Sequence, residues 1–537
     1  MKTKTALAAI ILLALGLSSL PYLIGWAVAP PGTRFMGLTY NIDDAYVYLS
    51  WTRQAADGHL FIRNQFATEP QHMLQFNVFF LILGWLSRLL HLPLIAAYHV
   101  ARLLMGAMLL WMVYKFSGLF FKKDAHRLSL VAIVAFSSGI GWVFGKAAGQ
   151  AFSVDRWQPE AITFLSLYLN PLFLCAQTLM LATLYFLLRC RSSGRTSHAA
   201  LAGVCGLLLA NIHTYDVVTV AAVWVAFRIA STILEREVNG RLLLQTLLAA
   251  VIASPALLYQ LRLYQVEEVF RLRANTPTLS PAPWAFWGGY GIILILAVVG
   301  LPIACKLKRN ALLPATWALL GFLLPYLNVS QQRKLVMGLH IPLAILAVYA
   351  LVWLSDRRRV SMTLLTLLAL LLTIPTNLWF LRRDIDWLLV NQTATQMHRP
   401  YLTDDELAGM KWLESHTRPT DSVLAFPDIA CRLPALTGNR TYVGHWSETP
   451  DFGRKLREWA AFAGARASNS ARQEFLVRSQ TRYVWWDDAL KELPPTVPGG
   501  EPTPAFHPSQ APYLHEEFHS GHVKIYRIVS TSSSGGQ

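Results

Sequence analysis

A chain of 537 residues that is 54% hydrophobic and only 15% charged, with a mean hydropathy of +0.37, is too apolar for an ordinary water-soluble protein. Its formal net charge of +16 would suit nucleic acid, but the basic residues fall in short runs between apolar stretches, as the positive-inside rule expects, so no nucleic-acid partner is expected. Five scattered cysteines, Cys175, Cys190, Cys205, Cys305 and Cys431, have neither disulfide-framework nor zinc spacing.

The first apolar stretch, Ala6 to Val28, follows Lys2 and Lys4, and no small-residue cleavage site follows it before Asp43. It reads as a retained membrane helix with a cytoplasmic N-terminus rather than a signal peptide. Further apolar spans begin near Leu94, Leu128, Leu172, Ala199, Val217, Leu242, Tyr290, Leu312, Leu335 and Met362. The expected fold is therefore an α-helical polytopic membrane protein with about 11 transmembrane helices. Phe76 to Leu90 is apolar but short, and it reads as an interfacial or re-entrant helix. That reading puts Lys115 with Lys122, Lys123 and Arg127, then Arg189 with Arg191 and Arg195, Arg236 with Arg241, Lys306 with Lys308 and Arg309, and Arg357 to Arg359 on the cytoplasmic side. Arg382 and Arg383 weigh weakly against it.

This orientation gathers the polar residues with chemical potential on the outer face of a plasma (inner) membrane. The outer side receives loops 30–75, 152–170 and 262–287, the turns at 211–216 and 328–334, and the tail after Arg383. The domains expected are a transmembrane domain over 1–383, a linker over 384–401, an extracytoplasmic C-terminal α/β domain over 402–530 and a disordered tail over 531–537. In the C-terminal part, Leu407, Met410, Trp412 and Leu413 have helical spacing, and Ser422 to Phe426, Arg482 to Trp486 and His522 to Arg527 have strand character. The proline-rich stretch 490–511 predicts an exposed loop, and three to five strands would bury a modest core.

Asp43 and Asp44 open a helical stretch whose Val47, Tyr48, Trp51 and Ala55 share one face and which Gly58 stops. Two readings stand at this point. Asn41 caps the helix, with Asp44 three residues on in a capping-box role and both acids favoured by the helix dipole. Alternatively the carboxylates, about 100° apart on the helix, do separate chemical jobs. Asp155 and Glu160 in the next outer loop would join Asp43 as oxygen ligands for a hard divalent cation such as Mg²⁺ or Mn²⁺, or Arg156 pairs with one of them. His213, Tyr215 and Asp216 lie where two spans meet, a costly position for ionisable groups unless they pair or bind something. Arg333 and Lys334 lie at the outer end of a span, where a guanidinium fork suits a phosphate and snorkelling is the structural alternative. Asn328-Val-Ser330 and Asn391-Gln-Thr393 match glycosylation sequons, which are frequent by chance.

An acidic pair in the first outer loop, an aromatic interfacial helix, a second acidic loop, a basic residue near a late span and a soluble C-terminal domain together resemble the GT-C superfamily of membrane glycosyltransferases. That superfamily includes the protein O-mannosyltransferases and lipid A aminoarabinose transferases. The resemblance covers the first 380 residues by architecture, with Asn41 to Gly58 its specific part. Thr68-Glu-Pro-Gln71 and Gly438 to Pro450 are similar to motifs of bacterial members. It implies transfer of a sugar from a polyprenyl-(di)phosphate donor to a lipid, glycan or protein acceptor. It also implies Asp44 or Asp43 as base or metal-positioning acid, Glu160 or Asp155 completing the metal site, and Arg333 on the donor phosphate. Substrate contacts are further expected from Lys334, His213, Tyr215, Asp216, Glu69, Gln71 and His445. For His445 and Glu448, ordering of their own loop is the favoured role. A transporter or lipid flippase of envelope glycan precursors is the alternative, although no inverted repeat is apparent. A scaffold that binds an envelope partner through its tail is a third reading.

Overall fold

The computed structural model describes residues 2–144, 152–236, 238–307, 309–390, 399–489, 491–493 and 503–529. The second sequon, residues 391–398 of the expected linker and the expected disordered tail lie outside the described residues. Every apolar stretch anticipated as a span is helical. In chain order come α1 (Lys2–Ala27), the short strand β1 (Thr33–Phe35), α2 (Ile42–Ala56), α3 (Val78–Leu89), α4 (Leu94–Ser117), α5 (Asp124–Phe136), α6 (Thr163–Leu169), α7 (Pro171–Ser193), α8 (Thr196–Ile212), α9 (Tyr215–Glu235) and α10 (Gly240–Val266). They are followed by α11 (Glu268–Ala274), α12 (Pro283–Leu307), α13 (Leu312–Leu323), α14 (His340–Arg358), α15 (Met362–Thr373) and α16 (Pro375–Val390).

Among the described residues, 8 helices are long and apolar enough to cross a membrane, or 9 if α15 and α16, which meet at a bend of 43°, are taken as one span. The bend falls where Pro375 cannot continue the helix of α15. α8 and α13 are shorter than the anticipated spans. Leu12, Leu244, Val251, Ile295 and Leu371 project from these helices as exposed apolar side chains, as lipid-facing surfaces require. α14 is buried from His340 to Leu351 and packs against α5, α12, α13 and α15. Gly300 of α12 leaves room for the backbone of α14 at Leu346, the close approach that small residues permit between membrane helices.

The chain separates into two compact units. The first holds 1–21, 98–262 and 277–385, and the second holds 22–97, 263–276 and 386–537. In the second unit α2 and α3 pack together. Phe80 of α3 stacks on Tyr48 and sits edge-on to Trp51, and Gly84 lets α3 lie against Thr52 and Ala55 of α2. With 12 residues, α3 is about 18 Å long and too short to span a bilayer.

The same unit contains the C-terminal α/β fold. β2 (Tyr401–Thr403) runs antiparallel to β1, so the tail begins by pairing with the first loop. α17 (Asp404–His416) starts at a complete capping box between Thr403 and Glu406. Then come β3 (Ser422–Leu424), α18 (Pro427–Leu436), β4 (Arg440–Thr441), α19 (Phe452–Ala463), α20 (Asn469–Arg478) and β5 (Tyr483–Asp487). The chain continues through β6 (Glu492–Leu493), β7 (Thr503–Pro504), β8 (Leu514–Ser520) and β9 (Val523–Ile528). β6 and β7 pair within the stretch expected to be loop. The main sheet has the order β4-β3-β5-β9-β8, parallel from β4 through β5 and antiparallel beyond. Alternation along β5 sends Tyr483 and Trp485 to a core with Met410, Leu413, Ile429 and Leu433. Val484 and Trp486 go to a second core with Trp459, Phe462, Phe475 and Leu476. Helices therefore cover both faces, which is why β5 reads as a near-continuous apolar run.

Arg432 ties this α/β fold to α2. Its buried guanidinium donates to Tyr46 Oη at 3.2 Å and to the Arg399 carbonyl at 2.6 Å, and pairs with Asp428 at 3.0 Å. Removing one partner of a buried ion pair leaves the other uncompensated. Arg432→Met should therefore lower the stability of this unit by on the order of 3 kcal/mol. Denaturation of the detergent-solubilised protein followed by tryptophan emission tests this, and an unchanged midpoint would contradict it.

Candidate functional site

The acidic pair does not cap α2 in the expected way. Asn41 has φ 50, a left-handed conformation, and its side chain makes no cap hydrogen bond, so neither Asn41 nor a capping box with Asp44 satisfies the first-turn amides. Asp43 and Asp44 instead face one side chain of the tail. His445 Nε2 lies 3.2 Å from Asp44 Oδ1 and 3.7 Å from Asp43 Oδ2. The imidazole is buried at 1% exposure, whereas the side chains of Asp43 and Asp44 are 17% and 40% exposed. Of the two acids, Asp44 is the more accessible.

The other ring nitrogen determines what His445 offers. Nδ1 accepts the backbone N–H groups of Ser447 and Glu448, both at 3.2 Å, so the ring proton sits on Nε2 and points at the carboxylates. Burial opposes charge on the ring. The hydrogen bond to Asp44 and the charges of Asp44, Asp43 and Glu448 outweigh it and raise the ring pKa above its ordinary value. The two amides aimed at Nδ1 resist a second proton there and favour the neutral Nε2–H form. His445 thus orders its own loop, as expected, and also reaches the acids.

Glu448 continues the network. Its Oε2 lies 3.3 Å from Arg273 Nη1, and its carbonyl accepts from Asn64 Nδ2 at 2.8 Å. The Arg273 guanidinium sits over the Trp51 ring at 5.2 Å. Arg273 and Asn64 were not singled out in the sequence, although a basic residue in the outer loop 262–287, where cytoplasmic bias does not explain it, was a usable signal. Glu69 and Gln71, expected to touch substrate, have protein partners. Glu69 lies 2.6 Å from Lys455 Nζ, and Gln71 exchanges two 2.9 Å hydrogen bonds with the backbone of Asn64. Lys455 is buried, which pulls its ammonium pKa down, with Glu69 pulling the other way.

The remaining expected residues belong to the first unit. Asp155 is held by the residues around it. Its Oδ2 accepts the Gly139 and Gly141 amides at 3.0 and 3.1 Å, and its Oδ1 accepts the Ser153 hydroxyl. A side chain at Gly141 would collide with this carboxylate, so the glycine is what lets the amide approach. Burial pushes the Asp155 carboxyl up to about 6 against these bonds. It holds the Gly139 and Gly141 amides and the Ser153 hydroxyl together, a role that charge alone did not reveal. Glu160 is buried, and among the described residues no hydrogen bond or ion pair reaches it.

His213 Nδ1 and Asp216 Oδ2 are 3.0 Å apart, so the pair satisfies itself in part, while the buried Asp216 Oδ1 has no partner among the described residues. Lys334 Nζ lies 4.9 Å from the Tyr215 ring centre, and the Arg333 guanidinium lies 5.2 Å from that of Trp157. Arg333 Nε and Gln158 Oε1 are buried without partners among the described residues. Buried polar atoms left unsatisfied are expensive, and they concentrate here beside an aromatic-backed cation.

No protein-family model matches the sequence, and no curated protein matches it significantly. Solved structures do. The chain resembles the oligosaccharyltransferase of Archaeoglobus fulgidus in complex with Zn and sulfate, with TM-score 0.57 and 12% identity over 90% of this chain and 68% of that one. It resembles the arabinofuranosyltransferase AftD from Mycobacteria with TM-score 0.58 and 15% identity over 97% of this chain and 40% of that one. It resembles ArnT from Cupriavidus metallidurans with TM-score 0.53 and 14% identity over 99% of both chains. The archaeal enzyme has also been solved with dolichol-phosphate and an inhibitory peptide, and ArnT with undecaprenyl phosphate.

The two amide bonds to His445 Nδ1 give a direct prediction. In His445→Ala the Ser447 and Glu448 amides lose their acceptor, at about 1 kcal/mol per hydrogen bond, so their hydrogen exchange should accelerate several-fold. Mass-spectrometric exchange over 440–450 measures this, and unchanged protection there would refute the assigned tautomer.

Proposed function

On the GT-C fold that this chain has, we propose that it is a membrane glycosyltransferase that moves a sugar from a polyprenyl-(di)phosphate donor to an acceptor hydroxyl on the extracytoplasmic side. The observation that carries the proposal is the Asp43-Asp44 pair at the start of α2, faced by the Nε2–H of a buried histidine. Dolichol-phosphate and undecaprenyl phosphate in the similar structures support a polyprenyl carrier. The basic character of the cytoplasmic runs supports the outward orientation.

Asp44, the more exposed acid, takes the proton of the acceptor hydroxyl. The acceptor oxygen then attacks the anomeric carbon as the bond to the phosphate oxygen breaks, with inversion, and the electron pair departs on the polyprenyl phosphate. In the resemblance to GT-C enzymes that growing negative charge falls to Arg333, which is backed by Trp157 and whose Nε has no partner among the described residues, with Lys334 as a second cation. His445 positions the acids rather than binding substrate.

A divalent cation such as Mg²⁺ or Mn²⁺ fits part of the anticipated set. Asp43 offers a carboxylate that would hold it, whereas in the first unit the oxygens of Asp155 are engaged by Gly139, Gly141 and Ser153. Bound there, a cation would neutralise phosphate charge.

Purified protein, a panel of polyprenyl-linked sugars and product detection by mass spectrometry test the proposal. Asp44→Asn should lower kcat by about 10²- to 10⁴-fold with little change in donor binding. Arg333→Ala should raise the donor KM by roughly tenfold or more, since charge-assisted phosphate bonds contribute about 1.5–3 kcal/mol each. Full transfer by Asp44→Asn would remove the base assignment, and movement of the lipid-linked sugar across the membrane without transfer would favour the flippase.

A further inference from the structure

Three elements of the C-terminal fold converge at the start of α17. Glu406 in its first turn, Asp487 at the end of β5 and His522 in the turn between β8 and β9 each present a ligand atom, and these atoms all lie within 4.8 Å of one another. We propose that this cluster is a divalent-cation site of Zn²⁺ type that fastens α17 and the β8–β9 hairpin to the end of β5, separate from the acidic pair.

The donor set is the first argument. Two carboxylates and one imidazole form the mixed nitrogen and oxygen set that suits zinc, and three protein ligands leave a fourth position for water. Ligands held about 2.0–2.2 Å from a tetrahedral ion lie roughly 3.5 Å from one another, so the cluster needs only small side-chain adjustments to close on one.

The second argument is that each ligand is already held by a further group. Glu406 Oε2 accepts the Thr403 amide at 2.8 Å, and its Oε1 accepts from Arg399 Nη2 at 2.6 Å. Asp487 Oδ1 accepts the Ala489 amide at 2.9 Å. Asp405 Oδ2 lies 3.4 Å from His522 Nδ1, and the Asp405 carboxylate is itself fixed by the Ser520 hydroxyl at 2.7 Å. Carboxylate-held imidazoles and hydrogen-bonded carboxylates are what orient ligands around a metal.

Charge is the third argument. Arg399 is shared between Glu406 and Asp428, while Arg432 pairs with Asp428. Among the described residues no Lys or Arg comes within ion-pair distance of Asp405 or Asp487. Two carboxylates without a Lys or Arg partner thus stand beside the His522 imidazole, a set that a divalent cation would complete. His522 is 28% exposed, so an ion can enter without unfolding the domain.

The test uses the full chain in detergent, stripped with EDTA, titrated with ZnCl₂, desalted, and assayed for zinc per chain by elemental analysis. Emission from Trp485 and Trp486, adjacent to Asp487, is recorded in parallel. Wild type should retain a zinc equivalent that His522→Ala and Asp487→Asn lose or bind at least tenfold more weakly. Asp405→Asn, which keeps all three ligands, should weaken it about 10- to 100-fold. Asp43→Asn should leave that equivalent in place, which separates this site from any ion at the acidic pair. Retention of the full equivalent by both His522→Ala and Asp487→Asn, or loss of all zinc from wild type on desalting, would overturn the proposal. Unchanged near-ultraviolet circular dichroism of the zinc-free variants distinguishes ligand loss from misfolding.

Discussion

An imidazole whose Nδ1 is fixed by two backbone amides has only an N–H to offer at Nε2, and at His445 that N–H is aimed at two carboxylates. The constraint decides the character of the acidic pair. A histidine with its second nitrogen donating would be a ready metal ligand, whereas this one is a proton donor that keeps two adjacent acids at the start of a helix from repelling freely. Asn41 turns into a left-handed conformation and its side chain makes no cap hydrogen bond at the start of α2. The glycosyltransferase proposal draws its strength from the two acids facing that fixed donor.

The same principle, a polar group held by the backbone of a neighbouring segment, recurs with a different outcome at Asp155. There the amides of Gly139 and Gly141 and the Ser153 hydroxyl take up the carboxylate, and an acid with the right charge and the right loop becomes a structural clasp. Arg333 shows the reverse case. Its guanidinium has an aromatic face behind it and a nitrogen without a partner, so its bonding capacity is unspent. Chemistry is carried by the groups that folding leaves unsatisfied, and burial makes that distinction sharp because an unsatisfied group there is costly unless something binds.

Local signals were read well and pairings were not. The helical spacing of Leu407, Met410, Trp412 and Leu413, the apolar run Tyr483 to Trp486 and the shortness of Val78–Leu89 were each visible in a few consecutive residues, and each has its expected form. Val47, Tyr48, Trp51 and Ala55 were grouped on one face by helical spacing, and all but the half-buried Tyr48 are buried. The partners of Glu69, Glu448 and Asp44 were invisible, since Lys455, Arg273 and His445 lie hundreds of residues away. Asp44 and His445 are separated by 401 positions, across which no period or motif connects them. Glu406, Asp487 and His522 escaped notice for the same reason. Each is an unremarkable polar residue in its own segment, and only the order β3-β5-β9-β8 with α17 laid alongside gathers them.

What the sequence determined by itself is whatever composition and short-range periodicity control. That includes a multispan helical membrane protein, the stretches that form its helices and an α/β region at the end of the chain, because hydrophobic burial and backbone hydrogen bonding act over a few turns. Tertiary structure alone decided which acids cap, which clasp a loop and which remain for chemistry. Those outcomes depend on hydrogen-bond partners delivered from distant segments at separations near 3 Å, and no local pattern encodes such a distance.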